Sequence, residues 1–274
     1  MKIQLSSTAF STNSIRVFFM RPFPFILLIL LPALGIAQTN STSSGIRQST
    51  DQQPDFKKIT EVLDLSLASK GDFTTAALSF NRLHGLGKSH RFRIGYGLRF
   101  TSAFGSNTNY RTAPALLTSG NQSIVALFSE DIIANIDTIR FPKTQINSLN
   151  ISINLEYALS RKLEVGFNID AIGVSFGGKQ TGTFMANSPY PSSLSGTAQE
   201  AKPTAFNLLL ISDSDRGSLN SEGYVRYRFS PQFSVRGGLS FQFNEYTTSR
   251  KLTFENDRFR SKNAMPLLAL SYHF

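Results

Sequence analysis

The chain has 274 residues, 41% of them hydrophobic and 17% charged, with a net charge of +10. It contains no cysteine, which excludes disulfides, a lipidated N-terminal cysteine and thiolate metal sites. Its Lys and Arg residues are scattered rather than clustered, so the basic excess fits a mild attraction to anionic lipid headgroups better than a nucleic-acid surface.

Arg16 and Arg21 precede the apolar run Phe25–Leu31, then Pro32, then Gly35-Ile36-Ala37 before Gln38. A charged segment, a short apolar segment and small residues in that order predict a secretory signal peptide over residues 1–37, cleaved after Ala37. The rival reading, a membrane-spanning helix, needs roughly 20 apolar residues, whereas Phe23–Ala37 is shorter and is broken by Pro24 and Pro32. The long segment before the apolar run leaves a start at either Met1 or Met20 open. Removing residues 1–37 takes away Lys2, Arg16 and Arg21 and no acid, so the remaining 237 residues carry a net charge of +7. Residues 38–58 are largely polar and aperiodic and are expected to form a flexible periplasmic lead-in.

From residue 59 to 274 the hydrophobic pattern repeats every second residue, the period of a strand with two unlike faces. Eight strands are expected. The first, Ile59–Ser69, places Leu63, Leu65 and Leu67 on one face, and a tight Lys70-Gly71-Asp72 turn leads to the second, Phe73–Leu83. The third, His90–Phe104, sets Phe92, Ile94, Tyr96, Leu98 and Phe100 against Arg91, Arg93, Gly95, Gly97 and Arg99. In the fourth, Ser148–Ala158, Leu149, Ile151, Ile153, Leu155 and Tyr157 oppose Asn150, Ser152, Asn154 and Glu156. The fifth starts at Lys162 and loses its phase at Ala171-Ile172-Gly173, where a β-bulge or the exit from the membrane is expected. The sixth and seventh are Leu219–Phe229 and Phe233–Tyr246, and the eighth is the segment closing on Leu268, Leu270, Tyr272 and Phe274. The apolar run Pro203–Ile211 either belongs to a folded loop or, with a partner, raises the count to ten.

The connections alternate between two sides, and three of the four on one side are long while all on the other are short. Residues 70–72, 105–147, 178–218 and 247–264 fall on one side, and 84–89, 159–161 and 230–232 on the other. Long loops outside and short turns inside are what a transmembrane β-barrel requires, with apolar residues facing lipid and polar ones facing the interior. The nonapeptides Tyr157–Val165 and Tyr227–Val235 align without gaps and are expected to be equivalent turns whose aromatics form an interfacial girdle.

The terminal segment, with Tyr272 and Phe274 at its end, resembles the C-terminal insertion signal of Gram-negative outer-membrane proteins. Residues 59–274 as a whole resemble small closed antiparallel barrels of the OmpA-transmembrane, OmpX and OmpW-like class. That resemblance implies an outer-membrane location and insertion through Leu268, Leu270, Tyr272 and Phe274 by a barrel-assembly machinery. It also implies outer-membrane lipids as surroundings and the absence of a following peptidoglycan-binding domain.

An eight-stranded barrel encloses only enough space for side chains. Its inward positions would hold Arg93, Arg99, Arg226, Arg228 and Arg236 with Glu156, Glu164, Asp170 and Glu222, expected to pair into an internal ionic plug rather than an ion path.

No catalytic, cofactor or metal residue is assigned. His84, His90 and His273 all fall at the periplasmic end, so no Ser–His pair is expected where an outer-leaflet substrate would be. Glu130, Asp131, Asp213 and Asp215 remain as carboxylates in outer loops. Gly85-Leu86-Gly87-Lys88-Ser89 imitates part of a phosphate-binding loop, but Arg82 stands where that pattern wants glycine and a strand follows, so a turn is expected. In the loop 105–147, Val125, Phe128, Ile132 and Ile136 have helical spacing, as a short helix packed over the mouth or as a partner-binding surface.

These features favour a non-enzymatic outer-membrane protein with a structural or surface-binding role. The alternatives are a transporter of small hydrophobic molecules, with a lateral or loop-gated opening, and a lipid-modifying enzyme.

Overall fold

The computed structural model describes residues 56–121, 130–187, 192–210 and 214–274. The expected signal peptide and nearly all of the lead-in lie outside them. Eight long strands form the ring: β1 (Ile59–Lys70), β2 (Phe73–Leu86), β3 (Phe92–Thr112), β4 (Thr138–Ala158), β5 (Leu163–Phe176), β9 (Leu219–Arg228), β10 (Phe233–Thr248) and β11 (Arg258–His273). Each pairs antiparallel with its neighbour, and β1 closes on β11 from Val62↔His273 to Ala68↔Leu267. The barrel is therefore closed with eight strands, not ten. Closure satisfies every ladder without leaving an edge, the condition for a sheet in hydrocarbon.

The two-residue period places Leu63, Leu65, Leu67, Leu98, Ile151, Val225 and Leu268 on the exposed outer face. Asp64, Arg93, Arg99, Asn150, Glu156 and Arg226 alternate with them and are buried. The first outer turn is as short as the sequence implies, and Gly71 takes the φ of +58° that a side chain would resist. On the opposite rim the two matched turns are copies in their bonding as well. Ser160 Oγ accepts from the Leu163 amide at 3.0 Å, and Ser230 Oγ accepts from the Phe233 amide at 2.9 Å. The expected bulge is also present: Ile151 pairs with Ile172 and Ser152 with Asp170, leaving Ala171 without a ladder partner.

The outer side departs from the sequence reading. The segments expected as long loops are strands for much of their length, because β3, β4, β10 and β11 continue past the lipid-facing belt. In addition the 177–218 connection contributes β6 (Gln180–Met185), β7 (Ala198–Pro203) and β8 (Phe206–Leu208). The run 203–211 is thus part of a folded loop, its β8 pairing with the top of β5. Above the membrane barrel, β6 pairs with β4, β7 with β6 and β10, and β11 with β3. Three hairpins, β3–β4, β6–β7 and β10–β11, therefore close a second, six-stranded ring on top of the first.

That outer storey has a dry core of Tyr110, Ile139, Phe141, Ile146, Phe184, Ala201, Tyr246, Leu252 and Phe259. Tyr110, Phe141 and Tyr246 stack within 5.0–5.3 Å of one another. To face this core, β3 and β4 must exchange their inner and outer faces. They do so at Asn107, which has a φ of +50°, opposite Pro142, which cannot donate to the ladder. Gly182 lets the hairpins approach, since a Cβ there would stand 2.6 Å from Ile139.

Candidate functional site

The interior of the membrane barrel is filled by one chain of alternating charges. From the periplasmic end it runs Arg228, Glu164, Arg93, Glu156, Arg226, Asp64, Arg236, Glu222, Arg99, Asp170. Arg228 meets Glu164 at 2.9 Å, Arg93 meets Glu164 at 3.1 Å and Glu156 at 2.7 Å, and Arg226 also pairs with Glu156. Asp64 then bridges Arg226 at 3.7 Å and Arg236 at 3.4 Å. Glu222 bridges Arg236 at 3.0 Å and Arg99 at 3.3 Å, and Arg99 reaches Asp170 at 3.2 Å. All nine residues singled out in the sequence are brought together, five cations against four acids. The fifth acid, Asp64 of β1, was missed, although it alternates with Leu63 and Leu65 just as the others alternate with their apolar neighbours.

Neutral groups hold this chain in place. Asn81 donates to Asp64 at 3.0 Å, Asn168 to Glu222 at 3.0 Å, and Asn150 to Asp170 at 2.9 Å. The Tyr224 ring lies across Gly166, where a Cβ would come within 2.4 Å of it, and the Tyr224 hydroxyl donates to Glu156 at 3.2 Å. The same ring stacks under Arg236, 4.4 Å from guanidinium to centroid. Charges removed from water are tolerated when paired and further hydrogen-bonded. Every charge of this cluster is paired, while Asp64 Oδ1 and the Nε atoms of Arg93, Arg226 and Arg236 have no hydrogen-bond partner among the described residues.

Both ends of the lumen are covered. At the periplasmic mouth, Phe56 lies 5.8 Å from the Arg93 guanidinium, and its carbonyl meets His90 Nδ1 at 3.0 Å. Toward the outside, Ala68, Phe73, Ala103, Met265 and Leu267 form an inward apolar cluster, and the aromatic core of the outer storey lies above.

The outer storey carries its own ionic latch. Glu245 receives both nitrogens of the Arg258 fork at 2.9 Å and Arg260 Nη2 at 2.9 Å. Both arginines also donate to the Asp215 carbonyl, which ties the loop after β8 to the flank of β10 and β11. Burial raises the Glu245 carboxyl, but Arg260 and Arg258 outweigh it and hold the group below the ordinary carboxylate range.

A closed ring, apolar outside, polar and ion-paired inside, with short turns at one rim and long hairpins at the other, is solvated correctly only by a bilayer. The chain is a closed, eight-stranded transmembrane β-barrel. No family model and no curated protein matches it. Among solved structures it is similar to Neisserial surface protein A, with 9% identity, a TM-score of 0.34, and 79% of this chain and 96% of that one covered. It is similar also to the attachment invasion locus protein Ail of Yersinia pestis, with 10% identity, a TM-score of 0.33, and 80% and 100% covered. A major outer membrane protein from Thermus thermophilus gives 12% identity, a TM-score of 0.33, and 80% and 100% covered. At such identity and overlap these likenesses carry no functional information, and the chain's own geometry has to supply it.

The other candidate residues are placed as follows. Leu268, Leu270, Tyr272 and Phe274 share the lipid face, Leu268 being 68% exposed. Tyr272 and Phe274 continue an aromatic row, Phe229, Phe233, Tyr272, Phe274, Phe80, with ring centroids 5.0–6.3 Å apart at the periplasmic interface.

Val125 and Phe128 lie outside the described residues. Ile132 and Ile136 do not share a helical face, because Ile132 is exposed, Ile136 is buried and only a 3-10 turn, Ile133–Asn135, separates them. The chain is held there by Asn135 Nδ2 donating to the Leu117 carbonyl at 3.1 Å and by the Ile132 amide donating to the Thr118 carbonyl at 2.7 Å. Of the Gly85–Ser89 segment, Gly85 and Leu86 end β2, and Gly87-Lys88-Ser89 is the turn, with Gly87 at φ +71°. Asp131 pairs weakly with Arg111 at 3.8 Å, and Asp215 accepts from the Leu210 amide at 2.7 Å.

One juxtaposition was not foreseen. Ser234 Oγ and His273 Nε2 stand 2.7 Å apart at the periplasmic end of the lumen, both buried. His273 Nδ1 has no hydrogen-bond partner among the described residues, so the pair has no orienting carboxylate, and it lies at the end away from the outer leaflet.

Proposed function

We propose that this protein is a non-enzymatic envelope protein whose membrane barrel is closed to solutes and serves to hold the three-hairpin outer storey above the membrane as a binding surface. The observation that carries this reading is the ten-membered ion chain, five arginines balanced by five acids, capped by an aromatic core. A conducting lumen needs a continuous wet path, and a transporter of apolar solutes needs an apolar one. This interior offers polar groups already engaged with each other below and a packed apolar plug above. Outer-membrane lipids as solvent for the belt, and insertion through the last strand by a barrel-assembly machinery, belong to the same reading.

Planar-bilayer recording and liposome uptake of apolar solutes test it together. The expected result is no unitary conductance and no uptake above empty liposomes. Either activity, lost in the Arg99→Gln or Glu156→Gln variant, would overturn the closed reading in favour of transport. Turnover of labelled phospholipid or glycolipid that vanishes in Ser234→Ala would instead overturn the non-enzymatic assignment.

A further inference from the structure

The first outer hairpin stops at Gly71-Asp72, whereas its neighbour β3–β4 rises into the outer storey. This step leaves an open cleft of about 650 Å³, lined among others by Asp72, Thr74, Phe104, Lys143, Gln145 and Gln180. Its height is fixed by the ladders. Phe104 is the last exposed apolar residue of the lipid-facing row on β3, and its cross-strand partners are Thr74 and Gln145, so polar side chains begin at the level where hydrocarbon ends. Lys143 pairs with Ser106 one step further out and is exposed. Among the described residues it has no carboxylate within ion-pair reach, unlike the lumen arginines.

We propose that this cleft binds the phosphorylated saccharide headgroup of an outer-leaflet glycolipid. The lining divides by chemistry. Lys143 supplies a cation for a phosphate. Asp72, Gln145 and Gln180 offer a carboxylate and amides to sugar hydroxyls, Gln145 through its Oε1 because its Nε2 donates to Asn147 at 3.0 Å, with Thr74 beside them. Phe104 faces the acyl chains where they leave the headgroup and run down the belt beside Leu98 and Phe100. A simple anionic phospholipid would use Lys143 but reach fewer of the carboxylate and amides with its small glycerol headgroup, and a soluble sugar phosphate would make no use of Phe104. The inference rests on membrane embedding but not on the barrel being closed, so it survives or fails independently of the conductance test.

The experiment is native mass spectrometry of the detergent-solubilised full barrel with three probes: a bis-phosphorylated glucosamine-disaccharide lipid, phosphatidylglycerol, and glucosamine 6-phosphate. The expected result is one glycolipid retained per barrel, with retention reduced about tenfold in Lys143→Gln and in the Gln145→Ala/Gln180→Ala double variant. Lys251→Gln, at the tip of the outer storey, should bind as wild type. Lys143 and Lys251 are exposed and Gln145 and Gln180 half-buried, and the gel-mobility shift between heated and unheated samples verifies that each variant is folded. Unchanged retention in folded Lys143→Gln would overturn the proposal. Equal retention of phosphatidylglycerol would overturn the saccharide component, and equal binding of glucosamine 6-phosphate would overturn the lipid.

Discussion

The two storeys of this molecule share β3, β4, β10 and β11 and have opposite sidedness. In the membrane barrel, lipid solvates the outside and the polar residues turn inward, where Arg99 and Glu222 find each other. In the outer storey, water solvates the outside and the aromatics turn inward, where Tyr110 meets Phe141 and Tyr246. The hydrophobic effect gives both arrangements once the surrounding solvent is specified. The cost of the change is concentrated in one place, the kink at Asn107 and Pro142 where β3 and β4 turn over together. An inverted pair of storeys also predicts inverted sensitivity: charge is tolerated inside the lower one and outside the upper one, and nowhere else.

The largest expected effect comes from unbalancing the lower interior. Arg226→Leu removes the partner shared by Glu156, Glu164 and Asp64, and stranding buried carboxylates should cost roughly 3–5 kcal/mol. Urea titration of the barrel in lipid vesicles should show the loss, and substitution of Glu156 by Gln in the same chain should restore part of it. If the single variant unfolds at the wild-type midpoint, the chain of charges is not what fills and stabilises the lumen. Next in size is Leu65→Arg, a charge near the middle of the lipid face, expected to cost roughly 2–4 kcal/mol in the same titration.

How far the sequence reveals this comparison depends on the solvent that writes each pattern. Hydrocarbon demands an unbroken apolar row, so β1, the lower halves of β3 and β4, the paired inner turns and the bulge at Ala171 are all visible as alternation or its interruption. The lumen charges are legible for the same reason, in phase with the glycines and asparagines of their strands. Asp64 is less conspicuous because the leucines of β1 dominate its alternation and Ser66 and Ala68, its neighbours on the inner face, carry no charge. The outer storey is harder to see. Water accepts Thr, Asn and Lys on its outward positions, β3 and β4 change phase at Asn107, and β6, β7 and β8 owe their existence to partners far away in sequence. Pro203, for example, pairs opposite Tyr246. The Ser234–His273 contact is invisible for a related reason: it depends on the β10–β11 register, not on spacing.

The ionic latch sharpens the comparison at intermediate size. Glu245→Gln weakens charge-assisted bonds to Arg258 and Arg260 and should cost the outer storey roughly 1.5–3 kcal/mol while leaving the lower barrel intact. The sign with pH follows from the depressed carboxyl. Its contribution is complete above the ordinary carboxylate value of 4.5 and disappears as pH falls through the lower value that it has in the folded chain. Hydrogen exchange of residues 204–210 and 214–218 should therefore stay slow from pH 7 to 5 and accelerate in stronger acid, beyond the intrinsic pH effect on exchange. In Glu245→Gln that extra acceleration should shrink. Acid lability undiminished in the variant would assign the latch to another group.

The smallest effect is the most discriminating, because it contrasts with the large one at Leu65. Arg140 occupies an outward position of β4 in the upper storey, between Asn109 and Thr183 on the neighbouring strands. Arg140→Leu places an isolated leucine on a water-facing sheet and removes no ion pair among the described residues, so stability should move by no more than about 0.5 kcal/mol. On a lipid-facing strand the same loss of charge would be a gain of roughly 2–4 kcal/mol. A stabilisation of that size, measured in the same vesicle titration, would mean that hydrocarbon reaches Arg140. The belt would then extend above Phe104, the upper storey would sit in the membrane, and the inversion of sidedness would need another cause than the change from lipid to water.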